Sequence, residues 1–171
     1  VSTMPEQCTS EELQQALIKF CLDKKTWEYN RMAGRLYSAL INKTIYNDKK
    51  PTVKELHDLL LSEGLMVKLN YSDAEYEQVE RIIDHDLDLQ ATHFELHQNR
   101  FKYALRDKVT GREYESQQFI YMRMAMALAE NEPLDERMTH LKNWYGHFSH
   151  KRLNPPTPNF TNLGTKLNGY A

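Results

Sequence analysis

Apolar side chains recur along most of this chain at helical spacing, and residues of helix-capping type stand just ahead of each run. Thr9-Ser10-Glu11-Glu12 reads as a capping box, in which a threonine oxygen accepts from the third helical amide while the glutamate reaches back. Leu13, Ala16, Leu17, Phe20 and Cys21 follow on one predicted face. A second helix is predicted over about 26–45, with Trp27 near its start and Tyr29, Met32, Leu36 and Leu40 as its apolar stripe. After a polar turn, Asn47 to Lys50, and Pro51, Thr52-Val53-Lys54-Glu55 repeats the capping box, and Gly64 is a natural stop. Ser72-Asp73-Ala74-Glu75 opens a fourth helix. Tyr71 and Tyr76 are placed to staple its start, and Val79, Ile82 and Ile83 form its buried face.

The period then changes. Phe101, Tyr103 and Leu105 alternate with polar residues, and Tyr114 follows Thr110-Gly111, a pattern that predicts a short β-hairpin. From Ser116 to Ala129 the sequence is apolar nearly all round and predicts a central helix, ended by Glu132-Pro133. Met138, Leu141, Trp144, Tyr145 and Phe148 give another amphipathic helix. The final stretch breaks the pattern: prolines in Pro155-Pro156-Thr157-Pro158 exclude a helix interior and suggest a strand. Gly164 and Gly169 follow without an apolar period, so the tail is expected to have little core of its own and to pack against something else.

Composition narrows the classes. The 171 residues have room for about one domain. A net charge of -2, spread along the chain, argues against a nucleic-acid or anionic-membrane surface, which needs a concentrated basic stripe. No apolar run approaches the ~20 residues of a membrane helix, and the stretch from Phe119 to Ala129 is interrupted by Arg123. The opening VSTMPEQ has neither a secretory pattern nor an initiator methionine, which fits processing or upstream truncation. Cys8 and Cys21 make no disulfide framework, and Cys21 is expected as a buried thiol. Asn42-Lys43-Thr44 and Asn159-Phe160-Thr161 match the glycosylation pattern, but without a secretory signal they read as chance, and a reducing cytoplasm fits best.

Two constellations invite chemistry. Asp84-His85-Asp86-Asp88 can be read as a metal cluster of HD phosphohydrolase type, with Asp84 and Asp88 on one helix face, although further histidines at that family's spacing are missing. The plainer reading is a charged, hydrogen-bonded helix end. His93 and His97 are four residues apart, but the glutamate between them is in the wrong place for a zinc-protease motif. His140, His147 and His150 have no partner cysteines.

The order of three motifs points elsewhere. Ile83-Asp84-His85-Asp86-Leu87-Asp88, then Val109-Thr110-Gly111-Arg112-Glu113-Tyr114-Glu115-Ser116-Gln117-Gln118-Phe119, then Pro155-Pro156-Thr157-Pro158, resemble the N-terminal domain of class I ribonucleotide reductase large subunits. The resemblance implies a mainly α fold: a helical N-terminal domain with one β-hairpin, ending in the first strand of an absent catalytic α/β barrel. It implies residues 1–50 as the end of an ATP-cone-like segment, 51–150 as the helical domain, and 151–171 as the start of the barrel. Thr157 matches a threonine that contacts the substrate diphosphate. Thr9 and Lys43 match two nucleotide-contacting positions of the cone, whose glycine-containing opening hairpin is missing. As residues, Thr9 is already explained as a cap and Lys43 as a helix-end charge.

The family's reaction exchanges the ribose 2′-hydroxyl for hydrogen by radical chemistry on cysteines. The radical comes from a metal-containing small subunit, the electrons from a thioredoxin or glutaredoxin type reductant, and ATP, dATP and other dNTPs act as effectors. The implied partners are the rest of the large subunit, a second copy in a homodimer, the small subunit and a ribonucleoside diphosphate. No catalytic residue, cofactor or metal ligand is expected within this chain, which stops just before the family's first redox cysteine and is expected to be inactive alone. The alternatives are a non-catalytic helical interaction module, docking through its final apolar segments, and the HD-type phosphohydrolase.

Overall fold

Hydroxyl side chains start most of the helices. The computed structural model describes residues 8–167; the opening VSTMPEQ, Gly169 and Tyr170-Ala171 lie outside the described residues. Helix α1 (Ser10–Asp23) begins at Thr9, α3 (Val53–Ser62) at Thr52 and α4 (Asp73–Ile82) at Ser72, each with both halves of the capping box formed. Helix α2 (Trp27–Tyr46) is capped by Thr26 and ends at Asn47 in the left-handed region. Gly64 closes α3 with a φ of 70°, the Leu65 amide donating to Leu60 at 2.9 Å and the Gly64 amide to Leu61 at 3.0 Å. This is the paired bonding of a Schellman motif. Tyr71 and Tyr76 staple α4 with ring centroids 6.1 Å apart.

Helix α6 (Gln117–Ala129) is the axle. Nearly every residue in it is buried, because other elements cover it on all sides. Helix α7 (Arg137–Ser149) packs along it through Leu141, Tyr145 and Phe148. Residues of α3, α4, α6 and α7 form the larger apolar cluster. A smaller cluster joins α1 and α2 to Ala91 and to Leu96 of α5 (His93–Gln98). Gly34 lets α2 approach that junction: a Cβ there would stand 2.1 Å from the Ala91 carbonyl oxygen.

Four expectations need correction. The hairpin is reduced to its turn. Gly111, at a φ of 74°, closes a loop in which the Asp107 carboxylate accepts from the Val109 amide and the Thr110 hydroxyl, both at 2.7 Å. Only one bridge, Arg106 with Glu113, extends it. Phe101 and Tyr103 instead lie in a π-helical turn, Asn99–Tyr103, that continues α5. Their alternation marks two sides of a widened helical turn.

The expected barrel strand is a helix. Thr157 starts α8 (Thr157–Asn162), with Pro156 as its cap. Proline is tolerated in a first helical turn, where the amide it lacks has no intrahelical partner. The tail also has a core: Phe160 and Leu163 belong to the larger cluster, and the Val67 amide bonds the Gly164 carbonyl at 3.1 Å. An interaction module docking through this tail therefore loses its motivation. Last, the stripe expected to bury α1 and α2 is largely exposed. Leu13, Leu17, Phe20, Trp27, Tyr29 and Met32 all face outward; Cys21 and Leu40 are buried as expected, and Ile18, Ala33, Tyr37 and Ile41 complete the packing. No helix among the described residues is long and apolar enough to cross a membrane.

Candidate functional site

Thr157 is exposed at the start of α8, on a segment that the body of the molecule grips from two sides. From below, the fully buried Arg123 donates to the Leu163 carbonyl at 2.6 Å and to the Phe160 carbonyl at 3.0 Å. Its remaining reach goes to Glu115, 1% exposed, with Arg123 Nε 2.7 Å from Oε1. A buried ion pair is costly unless its remaining donors are satisfied, and here two backbone carbonyls satisfy them. From the side, the Tyr103 ring stacks on Phe160 at 4.3 Å and 12°. The Tyr103 hydroxyl accepts from Gln98 Nε2 at 3.1 Å. Burial acts to raise the Tyr103 phenol, but bonding by Thr157, Gln98 and Lys102 outweighs it and holds the group below its ordinary value. Tyr103 also lines a cleft of about 350 Å³ with Gln98, Asn99, Tyr121, Lys151 and Asn154.

Thr9 and Lys43 come near one another from different helices. Lys43 Nζ donates to Ser10 Oγ at 3.4 Å, beside Thr9. The threonine's own bonds are local: Oγ1 accepts from the Glu12 amide at 3.2 Å and donates to Glu12 Oε2 at 2.9 Å. The Thr9 backbone amide, which donates to Glu12 Oε2 at 2.7 Å, and after it the Thr9 hydroxyl hold Glu12 below the usual carboxylate range.

The acidic motif does not assemble as one site. Asp84 caps the short 3₁₀ helix His85–Gln90 and accepts from the Asp86 amide at 3.0 Å. Asp88 points into the core, accepting from Gln117 Nε2 at 3.2 Å and Gln118 Nε2 at 2.8 Å. Burial pushes its carboxyl up to about 7, against the Gln118 bond and the Lys50 charge. His85 packs on Phe119 with centroids 4.8 Å apart, and burial pulls it down to about 4. In this tighter helix Asp84 and Asp88 do not share a face. Among the described residues no three metal-ligating side chains gather, and the phosphohydrolase reading has no site to stand on. His93 and His97 lie in an aromatic stack, His93 against Tyr37 at 4.6 Å and His97 against Phe101 at 4.6 Å. Cys8 precedes α1 and is exposed; Cys21 is buried, as expected.

Sequence reasoning missed Gln98, Tyr103 and Arg123 as neighbours of the Thr157 segment. Arg123 carried a signal, since a lone arginine in an otherwise apolar helix needs a buried partner. Tyr103 carried none, because its alternating neighbours read as strand.

With this geometry in view, comparison with known proteins is specific. Residues 91–168 match the family model described as "Ribonucleotide reductase, all-alpha domain". The chain is 28% identical over 171 residues to ribonucleoside-diphosphate reductase 1 subunit alpha of Escherichia coli (strain K12), an alignment covering 95% of this chain and 22% of that protein. It is 30% identical over 166 residues to ribonucleoside-diphosphate reductase subunit alpha of Enterobacteria phage T4, covering 92% of this chain and 22% of that protein. The corresponding subunit of Buchnera aphidicola subsp. Acyrthosiphon pisum is 29% identical over 171 residues, with 95% and 22% covered. The chain thus spans about a fifth (22%) of the length of the relatives it matches.

Proposed function

This chain belongs to the class I ribonucleotide reductase large-subunit family, and we propose that within a complete alpha subunit it is the all-α scaffold that presents Thr157 to the diphosphate of a ribonucleoside diphosphate. The subunit's reaction is reduction of the ribose 2′-hydroxyl to hydrogen for deoxyribonucleotide synthesis, in a reducing cytoplasm. A dithiol closes to a disulfide and the oxygen leaves as water. The radical arrives from a small subunit, the dithiol is restored by a thioredoxin or glutaredoxin type reductant, and two large subunits pair. The redox cysteines belong to the rest of the subunit: Cys8 is exposed ahead of α1 and Cys21 lies within α1 in the smaller cluster, while the Thr157 segment is held by the larger one. Residues 1–50 form the end of an ATP-cone-like segment. There Thr9 and Lys43 face an effector nucleotide, ATP or dATP, whose other contacts come from outside this chain.

The observation that carries this reading is the collinear similarity to alpha subunits over 95% of the chain, into which the acidic, turn and proline motifs fall in order. What Thr157 needs for the role is also present: an exposed hydroxyl on a backbone fixed by buried bonds. The test is turnover. The complete large subunit with its small subunit and a dithiol is expected to reduce ribonucleoside diphosphates, and the purified chain under the same conditions is not. Reduction by the chain alone would overturn the division of labour, and none by the complete subunit would overturn the assignment.

A further inference from the structure

We propose that the cavity between α3 and α4 is a binding site for a small neutral aromatic molecule of single-ring size, with His57 as the polar anchor for its one hydroxyl or N–H group. The site lies apart from the Thr157 hydroxyl and does not depend on its role. Its volume is about 240 Å³. An apolar cavity of roughly 150 Å³ already takes benzene, whereas sites for drug-sized ligands run to roughly 300–1,000 Å³. The space therefore matches one ring with a polar substituent. Leu61 of α3, Met66 and Leu69 of the connection that follows, and the Tyr71 and Tyr76 rings line it together with His57. His57 meets Tyr76 edge to face at 5.8 Å, and Tyr76 meets Tyr71 in the same way at 6.1 Å. A further ring extends that packing.

His57 supplies the polarity. It is 6% exposed, its Nδ1 stands 3.3 Å from the Tyr76 hydroxyl, and no hydrogen bond among the described residues reaches its Nε2. Burial pulls the imidazole down to about 3, so the ring is neutral at physiological pH. A neutral imidazole has one donor and one acceptor nitrogen, and a hydroxyl both gives and accepts, so a phenol pairs with Nε2 in either tautomer. The remaining polar groups are engaged or lie at the rim. The Tyr71 hydroxyl donates to the Met126 carbonyl at 2.8 Å. Lys54 Nζ stands 2.9 Å from Asp58 and 3.7 Å from Asp73, tying α3 to the start of α4 through exposed side chains. Lys68 is exposed. With charge outside and an uncharged floor, a neutral ligand enters without leaving a buried charge unpaired. The walls are preformed: the Met66 amide bonds the Leu60 carbonyl at 3.2 Å and the Val67 amide the Gly164 carbonyl at 3.1 Å, so little ordering opposes binding.

The test uses the purified chain, with phenol as the probe and toluene as its match without the hydroxyl. Phenol is expected to bind saturably, to raise the thermal midpoint and to shift the His57 ring resonances in NMR. In His57→Leu the ratio of phenol to toluene affinity is expected to fall by about three- to tenfold, the net worth of one hydrogen bond. Taking the ratio cancels the different hydrophobicity of the two probes. Because His57→Leu also deletes a packed ring, a second variant closes the site from outside. Leu61 is 41% exposed where it lines the cavity, and Leu61→Trp is expected to abolish binding of both probes while the chain stays folded. An absence of saturable phenol binding, an unchanged ratio in a folded His57→Leu, or undiminished binding in Leu61→Trp would each overturn the proposal.

Discussion

The α1–α2 pair and the α6-centred body solve the same packing problem with unequal means. Around α6, apolar side chains enclose a helix on every side, and its buried Gln117, Gln118 and Arg123 are bonded to polar partners. Asp88 meets Gln117 and Gln118, Asn99 meets Gln117 and Tyr121, and Arg123 meets Glu115 and two tail carbonyls. The α1–α2 pair has only a small cluster, and it leaves Leu13, Leu17, Phe20, Trp27, Tyr29 and Met32 facing water. A body with a bonded polar interior holds position accurately, which suits the role proposed for Thr157. A helix pair with a bare apolar face suits a segment completed by further structure, as the proposed reading of residues 1–50 requires.

The sharpest way to break this contrast is to remove the arginine that binds body to tail. Arg123→Met should strand the buried Glu115 carboxylate and release the Phe160 and Leu163 carbonyls, a loss of about 3–5 kcal/mol. Chemical denaturation would report the loss. Hydrogen exchange should locate it in α6 and α8, with α1 and α2 following only when the whole chain unfolds. Uniform acceleration of exchange at native conditions would mean that the two regions are one cooperative unit.

Core truncations sharpen the comparison. Met124 is fully buried in α6, and Met124→Ala should cost about 2–5 kcal/mol, because surrounding helices on all sides hold the cavity open. Leu40, buried in the smaller cluster, should cost toward the lower end of the same range when cut to alanine, since α1 can settle inward. Denaturant midpoints of the two variants compare them directly. Equal losses would deny that the α1–α2 cluster is the more yielding one.

Acid titration probes the buried titratable groups packed around the α6-centred body. Asp88, held at about 7 in the fold, binds a proton that the unfolded chain binds only near its ordinary value of 3.8. Between those values the folded state carries more protons, so this group's contribution to stability falls as pH rises from about 4 to about 7. His57 and His85, pulled down by burial to about 3 and about 4, act in the opposite sense: they favour the fold above 6.5 and lose that advantage as pH falls toward their folded values. Wild-type stability between pH 6.5 and 4 is therefore a partial cancellation. Asp88→Asn removes one side of it and should steepen the acid-side loss by up to about 1.4 kcal/mol per pH unit. Parallel pH profiles for wild type and variant would show that Asp88 does not titrate in this window.

These regions also differed in how far they could be read from the chain. Caps, Schellman glycine and stapling tyrosines were legible because each is decided within a few residues, and α6 was legible because all-round apolarity has one ordinary explanation. The tail was misread for a tertiary reason. Prolines that exclude a helix interior also suit a helix start, and the choice turned on Arg123 reaching Phe160 and Leu163 from another element. Phe101 and Tyr103 were misread because a π-helical turn, like a strand, sends near neighbours to different sides. At the candidate site Thr157 was named through family resemblance, but Tyr103, stacked on Phe160 of the same segment, and Gln98, bonded to Tyr103, come there only through the fold.

The smallest predicted effect carries the contrast to its edge. Leu17 belongs to the stripe that sequence periodicity assigned to the core, yet it is 40% exposed. Were the α1 stripe buried in this chain, Leu17→Ser would cost about 2 kcal/mol or more in lost transfer and cavity energy. As an exposed position it should change stability by no more than about 0.5 kcal/mol, within the range of ordinary surface substitutions. Denaturation of the purified chain decides between these values. The complete large subunit adds a second readout. There the same substitution should cost more than in the isolated chain if further structure covers the stripe, because serine would then displace a buried leucine. Equal, small effects in both settings would leave the α1–α2 face bare in the assembled protein, and completion by further structure would no longer account for its apolarity.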